Sequence, residues 1–321
     1  MSTLFVIGLG IAGLILLTLG ADQLVVGAGR LATVLRVAPV IVGVVVIGLG
    51  TSAPEVVVSG TAAARHNAGL ALGNLVGSNI LNVTLILGVV AVVRPVLVRS
   101  SVPVREAPLM VAGVAIFGAF ALVGMKFVAG VLLAVLSVGA LVLLVRLSRV
   151  PPDDPLPDDV AAFVEPPPPP GRWWVEVTRI VLGLAATLGG AQLVVANAAT
   201  LAHRWGVSDT VIGFTLVAVG TSLPELMTSV QAQRRGEGDL MVGNLLGSNL
   251  FNSLIGGAVV GLAAGRDTIV PFGFAAVTAM VIAAGLAALL LKRGNRITRP
   301  EAGVLLCAYA LILPLLISAN Q

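Results

Sequence analysis

The chain has 321 residues, 57% of them hydrophobic and only 11% charged, with a mean hydropathy of +1.05. A soluble fold cannot solvate such a surface, and the apolar runs are too long and too continuous for barrel strands, so the sequence reads as an all-α polytopic membrane protein. The formal charge of +4 and the isoelectric point near 10.2 would suggest a nucleic-acid partner in a soluble chain, but here the basic residues gather at the ends of apolar runs, where they mark orientation, and no nucleic-acid binding is expected.

In chain order, five spans are predicted at about 3–28, 38–64, 69–92, 105–124 and 126–147. The first begins Leu4-Phe5-Val6 without a basic leader or a clear cleavage site, and is expected to be a span rather than a signal peptide. A different kind of sequence follows. Pro151 to Gly171 holds Asp153, Asp154, Asp158 and Asp159 and the run Pro166 to Pro170. Proline at this density gives an extended spacer, and the acids lack the Gly-centred loop of a calcium hand, so a solvated linker is expected. Five more spans are predicted at about 173–202, 208–233, 239–262, 271–291 and 301–318, with Trp173 and Trp174 as an interface anchor. The lone Cys307, in the last of these, has no disulfide partner and is expected to pack. The division is a first five-helix unit 1–147, a linker 148–172 and a second five-helix unit 173–321.

Of the 19 basic residues, all but Arg65, Lys126, Arg204 and Arg266 fall in odd-numbered loops. Those loops, the linker among them, are therefore expected to be cytoplasmic, with both termini outside the cell membrane. An odd number of spans per half makes the second half enter from the opposite side. The halves also match in sequence. Gly50-Thr51-Ser52-Ala53-Pro54-Glu55 recurs as Gly220-Thr221-Ser222-Leu223-Pro224-Glu225, and Gly73 to Asn82 recurs as Gly243 to Asn252, all at the constant offset from Thr51 to Thr221. Val37 to Gly43 matches Val207 to Gly213 at that offset as well. The expected architecture is ten transmembrane helices as two inverted-topology five-helix repeats, the construction of alternating-access transporters.

The repeated blocks hold both acids that lie deep in a predicted span. Pro54 and Pro224 have no N–H, so the carbonyls of Gly50 and Gly220 lose their helical partners, and Gly48 and Gly50 are expected to loosen the backbone further. Thr51, Ser52, Thr221 and Ser222 place hydroxyls beside these breaks, and Glu55 and Glu225 follow with negative charge. Ser78 and Asn82 are four apart and share a helical face, as do Ser248 and Asn252. The glycine steps before these serines suit close helix approach. Every donor is an oxygen, which favours hard cations such as calcium, sodium or manganese over zinc or copper. No Lys or Arg lies mid-span to neutralise the acids, and a charge at the helix centre costs about 2.5–3.5 kcal/mol on the insertion scale. Sliding a hydrophobic seal past two bare carboxylates is then unfavourable, whereas bound cations or protons permit it, which yields exchange rather than leak.

The doubled G-T-S-x-P-E and G-N-x-x-G-S-N-x-x-N blocks resemble the two alpha-repeats of the calcium/cation antiporter superfamily, most closely its prokaryotic sodium/calcium exchanger branch. The resemblance implies an antiporter exchanging calcium for sodium. It implies calcium on Glu55 and Glu225 with the backbone oxygens of Thr51 and Thr221. It further implies sodium sites at Ser52, Ser78, Ser222 and Ser248 with the carbonyls of Gly48 and Ala218, and a first and sixth span that slide across the core. Some members carry Asp at the position of Asn252; here Asn82 and Asn252 are both amides, which leaves sodium or proton open as the counter-ion. Asp22 has Ala191 as its match and is expected to be a solvated span-end charge. A proton/calcium or other divalent antiporter is the alternative. A channel is disfavoured because the chain builds a two-fold site by itself. A serine hydrolase is disfavoured because His66 and His203 fall too shallow to activate Ser52 or Ser222. No enzyme chemistry, cofactor or obligate protein partner is expected beyond the transported cations and the bilayer.

Overall fold

The computed structural model describes residues 2–35, 37–98, 102–147, 173–206, 218–264 and 272–318. Helices dominate it. They are α1 (Thr3–Leu35), α2 (Pro39–Thr51), α3 (Ala53–Ala64), α4 (Ala68–Val93), α5 (Val102–Val123) and α6 (Phe127–Leu147) in the first half. The second half holds α7 (Trp173–Arg204), α8 (Ala218–Thr221), α9 (Leu223–Arg234), α10 (Gly238–Ala263), α11 (Phe274–Gly294) and α12 (Arg299–Ser318). Among the described residues, seven helices are long and apolar enough to cross a membrane, or eight if the bent pair α2–α3 counts as one span. The linker 148–172 and the start of the seventh predicted span lie outside the described residues.

The break expected at the first proline is present. α2 and α3 meet at Ser52 (φ −79°, ψ 0°) with a bend of 43°. Pro54 sits in the first turn of α3, where a missing N–H costs least. The glycines before the break do not act as expected, however. Gly48 and Gly50 both keep helical backbone, and a Cβ on Gly48 would stand 2.9 Å from Asn244 O, while one on Gly50 would meet Leu184 Cδ2 at 2.8 Å. Both are points of close helix contact; Gly50 stays in α-helix, while Gly48 ends a stretch of wider winding, Gly43–Gly48.

Glycine contacts also set the two main helix pairings. Gly13, Gly20 and Gly27 fall seven apart and so share one face of α1. Gly13 faces Gly190 and Val194, Gly20 faces Ala186 and Thr187, and Gly27 faces Glu176 and Ile180. The rising numbers on α1 against falling numbers on α7 show that the two long helices pack antiparallel. A Cβ on Gly20 would lie 2.6 Å from Thr187 N, so nothing larger fits. By contrast α2 runs parallel to the first part of α10. Gly243 packs on Val40 O, Gly247 on Val44 O, and Gly48 on Asn244 and Gly247. The first-half counterpart of Gly247 is Gly77, and the residue that the repeat offset would set against it, Phe214, lies outside the described residues.

Among the described residues, three stretches are wound as π-helix: Gly43–Gly48 inside α2, Asn82–Ile86 inside α4 and Asn252–Gly256 inside α10. The last two occupy matched positions and begin at the paired asparagines. Wide turns of this kind concentrate at functional sites. A two-residue antiparallel pairing, Val96–Leu97 with Arg296–Ile297, is the one sheet among the described residues. Together with Gln233 Nε2, which donates to Arg94 O (2.8 Å) and Pro95 O (3.0 Å), it fastens the end of α4. Cys307 is exposed on α12 rather than packed, so it faces lipid or another surface outside the helix core. Asp22 is not merely solvated. Its Oδ1 accepts from Arg235 Nη2 at 2.6 Å and joins α1 to the end of α9.

Candidate cation-binding site

The helix breaks at Ser52 and Ser222 bring the acids into reciprocal contact. Ser222 Oγ donates to Glu55 Oε1 at 3.0 Å, and Ser52 Oγ donates to Glu225 Oε1 at 3.2 Å. Each half therefore supplies a carboxylate to the other half's serine. Both glutamates are 0% exposed. Neither is capped by a basic group among the described residues, and Glu55 Oε2 and Glu225 Oε2 are buried with no hydrogen-bond partner. An anion held in this way is strongly disfavoured unless a cation joins it.

Further oxygens surround the pair. Ser248 Oγ donates to Gly48 O (3.3 Å) and lies 3.5 Å from Glu225 Oε1. Thr51 Oγ1 donates to Ile47 O (3.0 Å) and stands 3.3 Å from Asn244 Oδ1, while the Thr221 side chain faces Glu55. Asn82 and Asn252 are fully buried; Asn82 Oδ1 has no partner, nor has either amide atom of Asn252. Ser78 is buried on α4 one turn before Asn82, and Ala218 opens α8. The structure thus brings Glu55, Glu225, Ser52, Ser222, Ser248 and Gly48 into one connected cluster, with Thr51 and Thr221 at its edge. Among the described residues there is no group of three or more His, Cys, Asp or Glu. The remaining donors are hydroxyl, amide and backbone oxygens, the ligand set of a hard cation.

Positioning residues emerge that sequence reasoning left without a role. Asn74 Nδ2 donates to Glu55 O (3.2 Å) and Ser59 Oγ (3.0 Å). At the same offset, Asn244 Nδ2 donates to Glu225 O (3.4 Å) and Ser229 Oγ (3.2 Å), and also to Thr228 Oγ1 (3.0 Å). Each amide ties the half-helix carrying a glutamate to the next helix, which fixes where the carboxylate stands. The signal was available in the sequence. Both asparagines lie inside the repeated block, and Ser59 and Ser229 obey the same offset.

Comparison with known proteins decides what this cluster belongs to. The model of the sodium/calcium exchanger protein family matches residues 5–149 and 176–318, which is most of the chain. The chain belongs to that family. Among its relatives, the putative antiporter CaxA of Alkalimonas amylolytica is 39% identical over 96% of each chain. The sodium/calcium exchanger MaX1 of Methanosarcina acetivorans is 29% identical over 75% of this chain and 78% of that one. Among solved structures, the sodium-calcium exchanger NCX_Mj soaked with 10 mM Na+ and zero Ca2+ superposes with a TM-score of 0.85 at 30% identity, covering 98% of this chain and 99% of that one. This family member is a membrane cation exchanger, of a class of transporters rather than enzymes, and its matched segments flank the proline-rich linker that the family model leaves out.

Proposed function

We propose that the chain exchanges calcium for sodium across the cell membrane by alternating access. The observation that carries this reading is the crossed pair: two buried carboxylates, each bonded to the opposite half's serine and each with a free oxygen. Two carboxylates balance one doubly charged ion. Glu55 and Glu225 would hold calcium with oxygens of Thr51 and Thr221, and sodium would take the oxygens of Ser52, Ser78, Ser222, Ser248, Gly48 and Ala218, with Asn82 and Asn252 contributing amide oxygens. Calcium takes six to eight such ligands at about 2.3–2.6 Å, and magnesium, which dehydrates reluctantly, fits less well.

The same reading takes the fold as ten spans in two inverted halves with both termini outside and the linker cytoplasmic. The antiparallel contact of α1 with α7, the first helices of the two halves, supports the inversion, since equivalent helices then cross in opposite senses. Those two helices would slide together across the core. Bare glutamates stop the movement because they would have to pass a hydrophobic seal uncompensated. Loaded with one calcium or with sodium ions, the core is neutral enough to switch.

Calcium uptake into proteoliposomes tests the proposal. An outward sodium gradient is expected to drive calcium in against its own gradient, and a proton gradient alone is not. Uptake driven by protons and indifferent to sodium would overturn the choice of counter-ion, and uptake insensitive to both gradients would overturn exchange.

A further inference from the structure

One residue beside the site has both ends of its side chain committed. Asn249 follows Ser248 on α10 and is 0% exposed. Its Nδ2 donates to Asn79 O at 2.9 Å, and its Oδ1 accepts from Asn82 Nδ2 at 3.1 Å. The direction of this chain follows from chemistry. A backbone carbonyl can only accept, so the nitrogen of Asn249 must face Asn79 O and its oxygen must face Asn82. That oxygen in turn demands a donor, so Asn82 must present its nitrogen there. The oxygen of Asn82 is thereby turned the other way, where it is buried and without a hydrogen-bond partner.

The matched position lacks this arrangement. Offset symmetry would have Asn79 orient Asn252, but Asn79 Nδ2 donates instead to Ser253 Oγ at 3.0 Å, with Met280 Sδ at 3.5 Å. Both amide atoms of Asn252 and the oxygen of Asn79 are buried and unpartnered. Asn252 is therefore free to turn either end of its amide toward an ion, whereas Asn82 is not.

We propose that Asn249 is a positioning residue that locks the Asn82 amide with its oxygen, not its nitrogen, available to the transported cation. This rests on the reading above, in which Asn82 is a ligand. An amide nitrogen turned toward a cation repels it, so fixing the amide in advance removes the cost of orienting it on binding. The first-half asparagine would then be a permanent oxygen ligand, and the second-half asparagine one that the ion itself must orient.

Calcium uptake kinetics of the full chain in proteoliposomes, with calcium binding to the purified protein in detergent, provide the test. Asn249→Leu leaves Asn82 free to flip and is expected to raise the apparent KM for calcium about three- to tenfold, the size of one lost hydrogen bond, with little change in kcat. In an Asn82→Ala background the same substitution should add nothing. Should Asn249→Leu not be recovered as a monodisperse protein, Asn249→Ala takes its place in the cycle. Glu55→Gln runs in parallel. Calcium binding that depends on Glu55 together with an unshifted KM in Asn249→Leu, or a shift that persists without Asn82, would overturn the positioning role alone. Binding indifferent to Glu55→Gln would overturn the site reading and the positioning role with it.

Discussion

The two copies of the motif are nearly the same in sequence and differ in surroundings. In the second half, Gly247 is closed onto Val44, and Asn244 reaches Thr51 as well as its own helix pair. In both halves an asparagine ties the glutamate's backbone to a serine one turn on, Asn74 to Glu55 O and Ser59 and Asn244 to Glu225 O and Ser229. Asn82 is held by Asn249, while Asn252 is held by nothing among the described residues. The glutamates keep the same symmetry, each on the other half's serine. A repeated sequence thus gives a symmetric pair of acids inside an asymmetric cage. The alternating access proposed above would need unequal halves, because one arrangement of the halves must be closed where the other is open.

The comparison can be broken most severely at the acids. Glu55→Gln and Glu225→Gln each remove a buried charge that no basic group among the described residues balances. Either is expected to lower calcium uptake by about 100-fold or more, a loss of at least 2.7 kcal/mol, with the protein still eluting as a folded species. Unequal losses would show that the symmetry of the pair is only geometric.

The glycines sharpen the contrast next. Gly247→Ala drives a methyl into Val44 O, where the present gap is 2.6 Å, and overpacking of that kind costs about 1–3 kcal/mol. A lower thermal midpoint in detergent and several-fold slower uptake are expected. An unchanged midpoint with unchanged uptake would remove the close contact of α2 with α10 from the account. The serines come third. Ser52→Ala and Ser222→Ala each delete one hydrogen bond to a carboxylate, and about a tenfold weaker calcium affinity is expected for both. Smallest is Asp22→Asn. Its pair with Arg235 is partly exposed, at 25% and 42% for the two side chains, so an effect below about threefold is expected, fading further in high salt.

Much of the fold was legible in the chain itself. Apolar run length places the helices to within a few residues at most boundaries, though α1 continues to Leu35, well past the expected end near residue 28. Hydropathy does not set that end, because Leu31 and Ala32 of the added turns are held by the helix core while Val34 and Leu35 are exposed. The proline-made bend at Ser52 was legible too, since a missing N–H acts locally. The role of Gly48 and Gly50 was not. A glycine that loosens a helix and a glycine that admits a neighbour look alike until the neighbour is present. Cys307 and Asp22 failed for the same reason, because packing and pairing depend on which other helix stands opposite.

By itself, then, the sequence determined that this is a membrane protein with a doubled, oxygen-rich, acid-bearing motif, because solvation of the backbone and the offset between the blocks are properties of the linear chain. Only the tertiary structure decided that Glu55 meets Ser222, that Glu225 meets Ser52, and that Asn249 commits the amide of Asn82. Those contacts join residues more than 160 positions apart, and which partner each group finds depends on how the helices pack.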